Sequence, residues 1–154
     1  IAAGLQEMGI SVELSASPSR EKGSAACFDA PSWHEIVWQG KKLVGSAQTR
    51  KHGYLLQHGS IPFHSDVKLL FSLLHIPDHK VKERLAANFS RKAVDLQTIS
   101  KEITAKSLAI ALSDAFESTF RIKGYRGELT DWEWKEAERL RKEKYAANEW
   151  NYRK

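Results

Sequence analysis

The sequence predicts an α/β fold of the α+β kind, in which a mixed, mainly antiparallel sheet is flanked by helices. Three observations lead there. Between Ile10 and Ile61, short runs of β-favouring residues are set off by Gly-containing turns. Short turns join the later runs into a meander, which makes neighbouring strands antiparallel. Beyond Pro62 the apolar spacing lengthens to three and four residues, the period of a helix with one buried face.

The opening Ile1–Gly9 reads as the end of a helix, with Ile1, Leu5 and Met8 at helical spacing and Gly9 just past its C-terminus. A chain that starts inside an element is expected to be a fragment, or one half of a divided protein. Ile10 to Leu14 alternates as a first strand, and Ser15 to Ser24 is a polar loop. Trp33 to Gln39 is a second strand, with His34, Ile36 and Trp38 on one face and Glu35 and Val37 on the other. Gln39-Gly40 supplies a tight hairpin turn, and Lys41 to Thr49 returns as a third strand. Lys51-His52-Gly53 turns the chain into a fourth, Tyr54 to Ile61.

Four helices are expected after Pro62. Ser65 caps the first, which carries Val67, Leu70, Phe71 and Leu74. Pro77-Asp78 opens the second, with Val81, Leu85 and Phe89 inward. Ser100 begins the third, with Leu108, Leu112, Ala115 and Phe116 as its apolar stripe. The last starts at a capping box, Thr130 with Glu133, and places Leu129 and Trp134 at the positions of a hydrophobic staple.

The chain has 154 residues, 42% hydrophobic and 28% charged, as in a globular protein with one real core. No apolar run reaches the roughly 18 residues of a membrane helix, and no secretory signal is visible. A single cysteine excludes an internal disulfide, and no Cys/His spacing suggests zinc. A reducing cytoplasm is the expected setting. The formal net charge of +5 favours acidic partners, although its residues are spread over helices rather than gathered in one arm.

Two residues invite chemistry. Cys27 follows a Ser-Ala-Ala lead-in and precedes an Asp-Ala-Pro-Ser bend, outside any helical stripe. A lone cysteine is ordinarily a small buried hydrophobe. Beside a cation it becomes a thiolate, the form that carries covalent acyl transfer. Lys42 lies 15 residues on (42 − 27) and shares a strand face with Val44, Ser46 and Gln48. Read alone it is a surface lysine on a hairpin. A hairpin turning at Gln39-Gly40 sets Lys42 opposite Val37, so the bend at Pro31 must return Cys27 towards it. The small residues Gly45, Ser46 and Ala47 allow close approach to the backbone. His58 offers an imidazole, or is simply bonded within the sheet.

These residues sit in motifs that resemble the octanoyltransferases of the biotin/lipoate protein ligase superfamily, in particular the cysteine-dependent octanoyl-[acyl-carrier-protein]:protein N-octanoyltransferases. The matching segments are Ala-Cys-Phe-Asp-Ala-Pro-Ser (26–32), Gly-Lys-Lys-Leu-Val-Gly-Ser-Ala-Gln (40–48) and Leu-Gln-His-Gly-Ser-Ile (56–61). Val-Lys-Glu-Arg-Leu (81–85), Leu-Thr (129–130) and Glu-Trp-Asn (149–151) also match. His34 stands where the family carries tyrosine.

The resemblance implies that residues 1–123 are the C-terminal part of a biotin/lipoate-type catalytic domain and 124–154 a helical tail. It implies Cys27 as the nucleophile that holds octanoyl as a thioester. Lys42 would depress the thiol pKa and donate to the carbonyl oxygen, and Gly45, Ser46, Ala47 and His58 would line the substrate site. Octanoyl-acyl carrier protein would be the donor and a lipoyl-domain protein, such as the glycine-cleavage H protein, the acceptor, with neither ATP nor metal. The family's Arg-Arg-x-x-Gly-Gly acyl-binding motif belongs to an N-terminal portion of the enzyme absent from this sequence, which makes that portion an expected partner. Two other readings stand beside this one. An ATP-dependent lipoate–protein ligase would use the same fold and need Lys42 but not Cys27. A basic nucleic-acid-binding module would draw on the tryptophans and the Arg/Lys-rich last helix; neither nucleic acid nor membrane is an expected partner.

Overall fold

The computed structural model describes residues 1–15 and 35–153. They form two compact units, Ile1–Ile122 and Lys123–Lys154. In the first, a four-stranded antiparallel sheet runs in the order β1 (Glu13–Leu14), β2 (Ile36–Trp38), β3 (Lys41–Lys51) and β4 (Tyr54–Ser60). Helix α1 (Ala2–Glu7) precedes the sheet, and α2 (Val67–Leu73), α3 (His79–Lys92), α4 (Leu96–Ile99) and α5 (Ala105–Phe120) follow it. The second unit holds α6 (Asp131–Leu140), a π-helical turn over Arg141–Tyr145, and α7 (Asn148–Asn151).

Both hairpins use two-residue turns whose central residues have positive φ: Gln39 (48°) with Gly40 (75°), and His52 (51°) with Gly53 (79°). That backbone twist matches the twist of the strands it joins, which sets the registers Trp38↔Lys41 and Lys51↔Tyr54. The end of α1 is a Schellman motif. Gly9 N–H donates to Gln6 and Ile10 N–H to Leu5, each at 2.9 Å, with Gly9 at φ 79°. Leu5 and Ile10, the apolar pair that such a motif brings together, enter the main core with Val12, Ile36, Leu43, Val44, Val94, Leu96 and Leu108. Helix α1 packs closely on α5: a Cβ at Gly4 would stand 2.9 Å from the Ala111 carbonyl oxygen. A second cluster joins α2 to α3 through Phe71 and Phe89, whose rings meet edge-on at 5.9 Å.

Several helix starts differ from those expected. Asp66, not Ser65, caps α2, accepting from Leu69 N–H, because the helix begins at Val67 and Ser65, one residue before the cap, is tied by its N–H to Asp95. Thr104, not Ser100, caps α5 in a capping box with Ser107, because the chain first makes the separate short helix α4. Phe116, expected in the core stripe of α5, is exposed. The Thr130–Glu133 capping box of α6 forms as expected, while Leu129 and Trp134 stay more than half exposed and make no buried staple. Trp132 is exposed as well, so the tryptophans of α6 are not core residues.

Candidate active site

Lys42 is not a surface lysine. It lies near the base of β3 within the buried run Lys42-Leu43-Val44, and its backbone is tied on both sides. On one side it pairs with Val37, the register the hairpin turn predicts. On the other its carbonyl accepts from Val94 N–H at 3.0 Å, across a parallel bridge to Ala93 beyond the end of α3. The pairing with β2 slips by one residue between Val37↔Lys42 and Ile36↔Val44, leaving Leu43 as the extra residue of a β-bulge. Strict alternation fails there, and three successive side chains are buried. Bulges of this kind bend a strand and re-aim its side chains.

The Lys42 ammonium lies 2.8 Å from Glu35 Oε1, with the two side chains 5% and 9% exposed. Glu35 immediately precedes β2, and its carbonyl accepts from Ser15 N–H at 2.8 Å, which extends the β1–β2 ladder by one bond. Two charges removed from water this far persist because each neutralises the other.

Farther along β3 the surroundings open. Gly45 is half-buried, and Ser46 to Lys51 and the whole of β4 are exposed. The register sets Gly45 opposite Ser60, Ser46 opposite Gly59 and Ala47 opposite His58. Gly45, Ala47 and His58 therefore share one face of the ribbon, and Ser46 points to the other with Gln48 and Gln57, whose amides bond at 3.0 Å. Gly59 is needed at its position: a Cβ there would stand 2.5 Å from the Gly45 carbonyl oxygen and 3.1 Å from Ser46 Cα. The small residues of β3 thus answer a close approach of β4. Cys27, and with it the expected return of the chain at Pro31, lies outside the described residues, as does His34.

Two hollows border the Val94 connection. One, of about 440 Å³, opens between α2 and α3 over Leu69, Leu70, Leu73 and Phe89. A smaller one, of about 170 Å³, is lined by Lys41, Ser65, Asp95 and Thr98 among others. None of the described residues expected at the site lines either. Asp95 is the organising group of this corner. It is buried, caps α4 by accepting from Thr98 N–H at 2.8 Å, and accepts from Ser65 N–H at 2.8 Å. Burial pushes its carboxyl up, but the hydrogen bonds from Thr98 and Ser65 outweigh that and hold it below the usual value of 3.8. Since Val94 precedes it, Asp95 also steadies the backbone that grips Lys42.

Sequence reasoning did not single out Glu35, Asp95 or Gly59. For Glu35 the signal was present. Lys42 is opposite Val37, and Glu35 shares the face of Val37, so the two charges lie on one diagonal of the sheet.

The lipoyl protein ligase A/B catalytic domain family matches residues 1–117. Among curated relatives, the chain is 44% identical to an octanoyltransferase LipM of Brevibacillus brevis over 98% of its own length and 58% of that protein. It is 42% identical to an octanoyltransferase LipM of Bacillus subtilis over 85% of its length and 48% of that protein. The chain therefore spans about half the length of the relatives it matches. Among solved structures, the bipartite lipoate protein ligase of Thermoplasma acidophilum superposes with a TM-score of 0.78 at 20% identity, over 97% of this chain and 53% of that one. A lipoate-protein ligase A bound with ATP gives 0.72 at 20% identity, over 97% and 54%. At that identity the structural likeness speaks to the fold, which agrees with the mixed sheet-and-helix architecture read from the sequence. By its sequence match over residues 1–117, the chain belongs to the lipoyl protein ligase A/B catalytic domain family.

Proposed function

We propose that the enzyme containing this chain transfers octanoyl from octanoyl-acyl carrier protein to a lysine of a lipoyl-domain protein, such as the glycine-cleavage H protein, through a thioester on Cys27. The observation that carries the reading is the buried, carboxylate-paired Lys42 at the base of the Lys-Leu-Val-Gly-Ser-Ala strand, in a chain similar to octanoyltransferases over most of its length. In the first half-reaction the Cys27 thiolate attacks the donor's thioester carbonyl. A C–S bond to Cys27 forms, and the carrier thiolate leaves. In the second, the acceptor's neutral amine attacks the Cys27 thioester, an amide forms, the amine loses its proton, and the thiolate is restored. The cation at Lys42 favours the thiolate and stabilises the carbonyl oxygen as negative charge develops on it. Gly45, Ser46, Ala47 and His58 would border the acyl group. Neither ATP nor metal enters, because the donor is already a thioester. The net charge of +5 suits an acidic carrier protein, and the reducing cytoplasm suits a free thiol.

The test is mass spectrometry of the complete enzyme after mixing with octanoyl-acyl carrier protein without ATP. An octanoyl adduct on Cys27 is expected, and Cys27→Ala should abolish both the adduct and transfer. Full transfer by Cys27→Ala would defeat the thioester route. Similarity of the fold to an ATP-bound lipoate ligase favours one second reading, adenylation of a free acid on the same scaffold. That reading predicts product only when ATP is supplied, with Cys27→Ala fully active.

A further inference from the structure

We infer that Glu35 is a positioning residue for this reaction: its carboxylate fixes where the Lys42 ammonium sits. The kinetic part of this inference rests on the octanoyl-transfer reading; the structural part stands without it.

Lysine is a point charge at the end of a flexible four-carbon stem, so its backbone position alone does not place its charge. Here the backbone is fixed from both sides, by Val37 across the hairpin and by the Val94 N–H bond. The Leu43 bulge turns this part of the strand inward. Among the described residues, the group that holds the far end of the side chain is the carboxylate 2.8 Å away. A charge answers a developing oxyanion only when it is held in place before the reaction, and a side chain free to swing does not hold it. A buried ion pair adds little stability over apolar residues of the same volume, so stability is a poor account of why charge is placed here. Among the described residues, the neighbouring charged groups do not substitute for Glu35. Lys41 on β3 and Lys92 at the end of α3 carry the same sign as Lys42. The Asp95 carboxylate on the α3–α4 connection is engaged with Ser65 and Thr98, and the imidazole of His58 lies on the exposed β4 opposite Ala47.

The experiment uses the complete enzyme and measures steady-state transfer from octanoyl-acyl carrier protein. Glu35→Gln keeps the side-chain shape without its charge. It should lower kcat by about tenfold while leaving KM within about twofold. Glu35→Asp should recover most of the lost kcat. An unchanged kcat in Glu35→Gln would overturn the inference, as would a Glu35→Asp variant no faster than Glu35→Gln. Full transfer by Lys42→Arg and Lys42→Met would instead overturn the octanoyl-transfer role of Lys42, and with it the kinetic role of Glu35.

Discussion

The base of the sheet and helix α6 hold ion pairs of nearly the same length in opposite surroundings. Lys42 and Glu35 meet at 2.8 Å with both side chains almost wholly buried. On α6, Arg139 reaches Glu136 and Glu143 at 2.6 Å, and Arg141 reaches Glu138 at 2.7 Å, with every side chain a third or more exposed. Distance alone would rank the helix pairs first. Solvent reverses that order. Water and salt screen the helix charges whether or not they pair, so the ladder is nearly neutral for stability. The sheet pair has lost its hydration, and removing either member leaves the other to bear the loss.

The strongest way to break the contrast is Lys42→Met in the complete enzyme. It should lower octanoyl transfer by at least a hundredfold and destabilise the fold by about 3 kcal/mol in a denaturant melt. Adding Glu35→Gln to that variant should restore part of the lost stability without restoring transfer, because a buried carboxylate that has lost the Lys42 ammonium is then replaced by a neutral amide.

Gly59→Ala separates packing from charge on the same strand pair. The new Cβ meets the Gly45 carbonyl, so a loss of about 2 kcal/mol is expected, together with weaker transfer as the Gly45–Ser46 backbone is displaced. Unchanged melting would mean that the two strands spread freely at this point.

A smaller effect is expected at Asp95, where a buried carboxylate is held by hydrogen bonds rather than by a cation. Asp95→Asn should cost about 1 kcal/mol, since a neutral amide caps one N–H less strongly and serves two poorly. The pH dependence has a definite sign. The folded-state pKa is lowered, so the stabilisation is complete above the usual carboxylate value and is lost as pH falls below 3.8 through the folded value. The Asn variant should lack that component of the acid transition.

The smallest effect belongs to the helix. Hydrogen bonding from Arg141 holds the Glu138 carboxyl down to about 2, yet Glu138→Gln should move the thermal midpoint by no more than about 2 °C. A larger shift would show that exposure misjudges this ladder.

How far the sequence carried follows from which signals are local. Gln39-Gly40 and His52-Gly53 are complete turn instructions, so both hairpins and the opposition of Lys42 to Val37 were legible. The capping box at Thr130 was legible for the same reason: its donors and acceptors lie within four residues. Helix α4 was not, because four residues are too few for a period to show. The buried state of Lys42 was also hidden. It depends on a bulge at Leu43 and on Val94 meeting the strand 52 residues later (94 − 42), and alternation implies neither. The pairing of Cys27 with Lys42 remains an expectation of the resemblance, since Cys27 lies outside the described residues.

The two tight turns also bear on how this region is assembled. Every pairing between β2 and β3 and between β3 and β4 joins residues at most 15 apart, from Trp38↔Lys41 to Gly45↔Ser60. Closing loops that short gives up little chain entropy, and hairpins of this kind zip within microseconds. The bond from Val94 to Lys42 closes a far longer loop and is expected to come late. The lysine and its carboxylate thus find each other within one short stretch of chain, and the distant contact then fastens a pair already made.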